Sequence, residues 1–146
     1  MRFRSRIALI ALAAAAVAGP AHPEGPPPFR IVVNAANPIS AISRDDLGKI
    51  FLKRATTWPG GAPAAPVDQP DSRAVREAFS RQVLGKSVAA VRSYWQQRIF
   101  SGRDVPPPER PGDAEVIAFI RGNPDAVGYV SGGAEAAGVK VLPIQD

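Results

Sequence analysis

From residue 30 onward, short β-branched runs alternate with helical stripes, and proline, glycine or asparagine marks each junction. That alternation predicts an α/β domain with helices packed on the faces of a small sheet, and it leaves the strand order open. Residues 30–34 (Arg-Ile-Val-Val-Asn) read as a buried strand. After an Asn37-Pro38 loop, Ser43 reads as an N-cap with Asp46 three residues on, opening a helix that carries Leu47, Ile50 and Phe51 on one face. Trp58-Pro59-Gly60-Gly61 is a turn, and Pro66-Val67 is a short strand whose prolines make it irregular or place it at a sheet edge. Asp71 or Ser72 opens the next helix, with Val75, Phe79 and Val83 in one stripe and Gly85 as its stop. Ser87 caps a third helix, in which Val88, Val91, Trp95 and Ile99 face inward. A Pro-rich loop at 102–112 leads to a fourth helix from Asp113, with Val116, Ile117 and Ile120 on its core side and Gly122 at its end. Residues 126–130 form a strand, Ser131-Gly132-Gly133 a turn with room for a helical turn after it, and 139–144 a last strand.

The first 21 residues read differently. Arg2, Arg4 and Arg6 precede an apolar run over 7–17, and small residues at Ala16-Val17-Ala18 and Gly19-Pro20-Ala21 offer cleavage after Ala18 or Ala21. This pattern predicts a secretory signal peptide over 1–21, since the run is shorter than the roughly 20 residues that span a bilayer. A Pro-rich mature N-terminus (22–28) and one domain (29–146) follow. The chain carries 18 basic and 13 acidic residues, net +5. Three of the basic residues belong to the leader, so 15 against 13 leave a mature charge of +2. No run of Lys and Arg outside the leader points to nucleic acid, and Arg76, Arg81, Lys86 and Arg92 read as solvated helix residues. There is no cysteine, so a disulfide, a thiol nucleophile and a lipoprotein anchor are excluded. The single histidine, His22, lies beside the cleavage point. A triad therefore lacks its base, and a zinc site lacks its usual ligands. The expected product is periplasmic or secreted, with no membrane anchor, no enzyme activity, no catalytic residue, no metal and no cofactor.

Local words in this order resemble a known family. Ile31-Val32-Val33-Asn34-Ala35-Ala36-Asn37-Pro38, the Ser43-capped helix ending in Ile50-Phe51, Trp58 soon after it, Arg76-Glu77-Ala78-Phe79, and Val127-Gly128-Tyr129-Val130 are similar to signatures of the phosphate-type periplasmic substrate-binding proteins of ABC transporters. The resemblance covers residues 29–142. It implies one lobe of a type 2 periplasmic-binding-protein-like fold, a small mixed sheet flanked by helices. Full-length members close two lobes over phosphate, and this chain has residues for one.

The family's anion loop reads Arg-x-x-Gly-Ser-Gly-Thr before the helix. Aligned on Arg76-Glu77-Ala78-Phe79, this chain has Gln69 at the arginine position, Ser72 at the first glycine, Arg73 at the serine, Ala74 at the second glycine and Val75 at the threonine. Ligand binding then falls to Gln69, Ser72 and Arg73, through free N–H groups at a helix N-terminus and one guanidinium. Asp68 and Asp71 oppose a multiply charged anion. The commoner use of such residues is capping by Asp71 or Ser72, with Arg73 solvated. Of the aromatics, Tyr94, Trp95 and Tyr129 read as core, and Trp58 has the best claim to exposure although local packing is commoner. Asp45-Asp46 and Asp113/Glu115 are first-turn acids that suit the helix dipole better than catalysis. Ser131-Gly132-Gly133 reads as a plain turn. Arg98, Arg103 and Arg110 mark an interaction surface or a solvated loop.

The resemblance implies a non-enzymatic lobe that binds phosphate or another small oxyanion for ABC transport or sensing. Its partners would be a permease, a sensor or a second copy that completes the cleft. The alternative is a periplasmic protein-interaction module that keeps the fold without the ligand.

Overall fold

The computed structural model describes residues 25–146, so the expected signal peptide lies outside the described residues. Six strands and four helices follow in order: β1 (Phe29–Asn34), β2 (Ile42–Ser43), α1 (Arg44–Phe51), β3 (Ala65–Pro66), α2 (Ala74–Phe79), α3 (Val88–Phe100), α4 (Asp113–Gly122), β4 (Ala126–Ser131), β5 (Val139–Leu142) and β6 (Ile144–Gln145). The main sheet has the order β3-β4-β1-β5. β1 runs antiparallel to both β4 and β5, with Ile31 opposite Tyr129 on one side and Leu142 on the other. β3 joins β4 in parallel at the edge, where its proline is tolerated. β2 and β6 form a separate parallel pair.

Both faces of this mixed sheet are covered, and the period of two sorts the strand residues between them. Phe29, Ile31, Val33, Val127 and Tyr129 face one side, against Leu47, Ile50 and Phe51 of α1 and Val75 and Phe79 of α2. Val32, Ala126 and Val130 face the other, against Val116, Ile117 and Ile120 of α4. Gly128 shares that second face. A β-carbon there would lie 2.8 Å from a Val67 methyl and 2.9 Å from a Val116 methyl, so α4 approaches the sheet at a distance only glycine allows.

The helix ends follow their local chemistry. The Ser43 hydroxyl accepts from the Asp46 N–H at 3.1 Å, and the Ser87 hydroxyl accepts from the Ala90 N–H at 3.1 Å. α2 continues into a π-helical turn over Ser80–Leu84 and stops at Gly85, whose φ of 63° is left-handed. Trp58 is buried, as a member of the main core cluster.

Four expectations are corrected. α2 opens at Ala74 with Arg73 in the cap position, since Asp71 turns to Arg92 and neither Asp71 nor Ser72 caps the helix. Ile99 is exposed, because α3 buries only Val91 and Trp95. The last strand divides at Pro143 into β5 and β6, which pair with different partners. The Pro-rich loop is tied down: Asp68 N–H donates to Pro108 O at 2.9 Å, and Arg110 N–H donates to Asp68 O at 2.9 Å.

Gly128→Ala should destabilise the fold by about 1–3 kcal/mol through overpacking, read as a lower urea midpoint with unchanged slope. A midpoint equal to the parent's would contradict the close approach of α4 to β4.

Candidate functional site

β3 ends against β4, and the chain then turns outward through Asp68–Ser72 to reach α2. Val67 N–H still donates to Val127 O at 2.8 Å, so the ladder persists up to the turn. Asp68 and Gln69, the first two residues past it, are buried.

A buried carboxylate needs donors, and Asp68 has three on one oxygen. The Tyr129 hydroxyl and the Gln69 N–H (2.9 Å) both donate to Oδ1, and Arg76 Nη1 lies 3.1 Å away. Arg76, in the first turn of α2, is only 4% exposed. Its Nη1 also donates to Gln69 O at 2.7 Å and lies 3.7 Å from Glu109 Oε1 in the loop, while its Nη2 lies 3.7 Å from Asp71 Oδ1. Arg92 of α3 closes the chain of charges by donating Nε to Asp71 Oδ2 at 3.1 Å. The expectation of a solvated Arg76 is therefore overturned. Arg76 sits three residues before Phe79 and four before Ser80, both buried, so it shares the inner face of the helix.

The three residues expected to hold a ligand are adjacent but differently placed. Gln69 is fully buried and saturated. Its Nε2 donates to Tyr129 O (2.9 Å) and Asp113 Oδ1 (3.0 Å), and its Oε1 accepts from Arg73 Nε (3.3 Å). Arg73 is half-buried and lies 3.7 Å from Asp113 Oδ2. Ser72 is exposed, and among the described residues its hydroxyl makes no hydrogen bond. The start of α2 carries no side-chain cap.

The titrating groups follow from these contacts. Burial pushes the Asp68 carboxyl up, against the pull of Arg76, the Tyr129 hydroxyl and the Gln69 N–H. Burial, together with the Asp68 charge, also raises Glu109. Asp113 feels burial too, but hydrogen bonds from Gln69 and Ser131 and the charge of Arg73 outweigh it and hold its carboxyl below the usual value. Burial and the neighbouring Asp68 carboxylate keep the Tyr129 phenol protonated.

Chemically, the cluster satisfies its own cations from within. Four carboxylates (Asp68, Asp71, Glu109 and Asp113) meet three guanidiniums (Arg73, Arg76 and Arg92), and every guanidinium is engaged by the chain's own acceptors. A cavity of about 280 Å³ opens beside it, lined among others by Asp71, Arg76, Arg92, Trp95 and Glu109. No group of three or more His, Cys, Asp or Glu side chains able to hold a metal ion occurs among the described residues.

The fold as a whole matches solved structures. The fold is that of one lobe of a phosphate-type substrate-binding protein. An ABC-type phosphate transport receptor from Vibrio cholerae superposes with a TM-score of 0.62 at 22% identity, over 80% of this chain and 45% of that one. A putative phosphate ABC transporter substrate-binding protein from Clostridium perfringens, with bound phosphate, gives 0.63 at 18%, over 80% and 44%. PstS from Borrelia burgdorferi gives 0.62 at 14%, over 81% and 47%. This chain thus spans less than half the length of each substrate-binding protein it resembles. No protein-family model matches the sequence, and neither does any curated protein. In this lobe no helix among the described residues is long and apolar enough to cross a membrane.

Arg76→Met should cost about 3–5 kcal/mol at pH 7, because it leaves Asp68 buried and unpaired. The Asp68 carboxyl, already raised by burial, then rises further. A raised acid loses folding stability as pH climbs through its folded value, so the variant should regain stability as pH falls toward 5. Adding Asp68→Asn should restore part of the loss at pH 7. Urea melts at both pH values check this, and a variant as stable as the parent at pH 7 would refute the pairing.

Proposed function

We propose that this chain is a non-enzymatic, periplasmic or secreted lobe of substrate-binding-protein type that works through a protein partner rather than by holding free phosphate at the start of α2. One observation carries this reading: the place where the family's arginine would fork onto phosphate is Gln69, fully buried with its amide already used, inside a network whose carboxylates outnumber its guanidiniums. An incoming oxyanion would have to displace Asp113 from Arg73 while facing the unbalanced charge of Asp68, Asp71 and Glu109. The exposed Phe100, Val105 and Ile99 give the lobe an apolar surface suited to a partner.

A second reading retains the ligand. The uncapped start of α2, the free Ser72 hydroxyl and the half-exposed Arg73 together offer N–H, O–H and charge to a phosphate or similar oxyanion, with Gln69 positioning Arg73. Under that reading a permease, a sensor or a second copy completes the cleft, in the service of ABC transport or sensing.

Calorimetric titration with phosphate and sulfate at low salt separates the two. Expected is no binding component that depends on Arg73: the parent, Arg73→Ala and Arg81→Ala should give the same isotherm. Saturable micromolar binding, equivalent to about −8 kcal/mol, lost in Arg73→Ala and kept in Arg81→Ala, would establish the second reading instead.

A further inference from the structure

We infer that the corner where α3 ends is an oxyanion site, taking a phosphate- or sulfate-type group between Arg98 and Arg103. The backbone there makes a two-bond closure. Gly102, at φ 68°, donates its N–H to Ile99 O at 3.0 Å, and Arg103 donates its N–H to Arg98 O at 2.9 Å. In this closure the residues at the positions of Arg98 and Arg103 come together across the turn, ordinarily as an apolar pair. Here both are arginine, so the fold itself brings two like charges to one place.

Nothing in the described chain neutralises them. The two guanidiniums line a cleft of about 380 Å³ together with Tyr94, Gln97 and Ser101, and no acidic residue lines it. Among the described residues, no carboxylate pairs with Arg54, Arg98 or Arg103. The neighbouring acid, Asp104, lies 3.7 Å from Lys53 instead. Arg98 lies 5.1 Å from the centre of the Tyr94 ring, and Arg54 lies 5.6 Å from the same ring, a third positive charge close by. Arg98 Nε is buried with no acceptor, which leaves a charged donor unmatched.

The negative end of α3 would ordinarily repel an anion. Three of its last four carbonyls are hydrogen-bonded here. Gln97 O accepts from the Ser101 N–H (3.0 Å) and the Ser101 hydroxyl (2.8 Å), and the Arg98 and Ile99 oxygens take the closure bonds. The residues lining the cleft therefore carry two guanidiniums and the Gln97 amide, a donor set of the kind that takes a tetrahedral oxyanion. The site is separate from the α2 cluster and shares no residue with it.

The test follows the arginine Nε–H and the 101–103 backbone N–H signals of the labelled protein by NMR, during titration with sodium phosphate and sodium sulfate at ionic strength held with chloride. Saturable shifts are expected at Arg98 and Arg103 and not at Arg81. Arg103→Gln, at an exposed position, should weaken binding about tenfold or more, as should Arg98→Gln, while Arg73→Ala should leave it unchanged. A parallel arm sediments the protein with phosphatidylglycerol or phosphatidylcholine vesicles. Saturation by the free ions without vesicle binding identifies a soluble ligand. Vesicle binding that needs phosphatidylglycerol and is lost in Arg103→Gln identifies a lipid head group as the source. Linear, unsaturated shifts through about 100 mM ion with no vesicle binding would overturn the site, as would equal affinity in Arg103→Gln.

Discussion

The carboxylate of Asp68 stands where the sheet edge, α2 and the Pro-rich loop meet. Its backbone ties the loop on, through the bonds from Asp68 N–H to Pro108 O and from Arg110 N–H to Asp68 O. Its side chain ties α2 down through Arg76, and the sheet through the Tyr129 hydroxyl. Tyr129 then carries the constraint into the apolar interior. Its ring stacks on Phe79 at 4.0 Å, and Phe79 in turn meets Phe51 at 4.6 Å and Phe29 at 5.6 Å. A buried ion pair adds little net stability over an apolar replacement. Its effect here is geometric: with one partner fixed in the turn after β3 and the other in the first turn of α2, the helix can start at only one place and one rotation.

That geometry explains why the site differs from the one the family words suggest. A helix start that receives phosphate presents unopposed N–H groups and a free arginine. Here Gln69 stands at the motif's arginine position, and Arg76, part of the words the chain shares with the family, is turned inward among carboxylates. Gln69 can occupy that position because an uncharged amide is tolerated in a buried site if its hydrogen bonds are met, and Tyr129 O, Asp113 and Arg73 meet them.

The fold was legible in the sequence wherever a local rule decided it. β1 is a β-branched run between turn formers, Ser43 and Ser87 are caps with the right spacing, and Gly85 is a left-handed stop. Sheet order was not legible, because alternation of strands and helices is shared by several topologies. Neither was the burial of Arg76. Its meaning depends on Asp68, eight residues earlier and outside the helix, so no helical periodicity contains the pair. Gln69, Ser72 and Arg73 do lie side by side as the motif alignment suggests, yet their exposures diverge, from a sealed Gln69 to an open Ser72. That divergence is set by Asp113 and Tyr129, which lie 44 and 60 residues further along the chain.

The charges of α3 divide along its length for the same reason. Arg92 lies near its start and is spent on Asp71 in the α2 cluster. Arg98 lies six residues on, about 9 Å along the axis, and finds an aromatic face and a second arginine in place of a carboxylate. The Debye length at physiological salt is about 8 Å, so the excess negative charge of the cluster is largely screened at the far end. A positive potential therefore survives at that corner, although the chain beyond residue 21 carries 15 basic against 13 acidic residues. The backbone positions of Arg98 and Arg103 meet across a closure that the left-handed Gly102 completes. An oxyanion bound between them would supply the negative charge that no carboxylate among the described residues brings to that cleft.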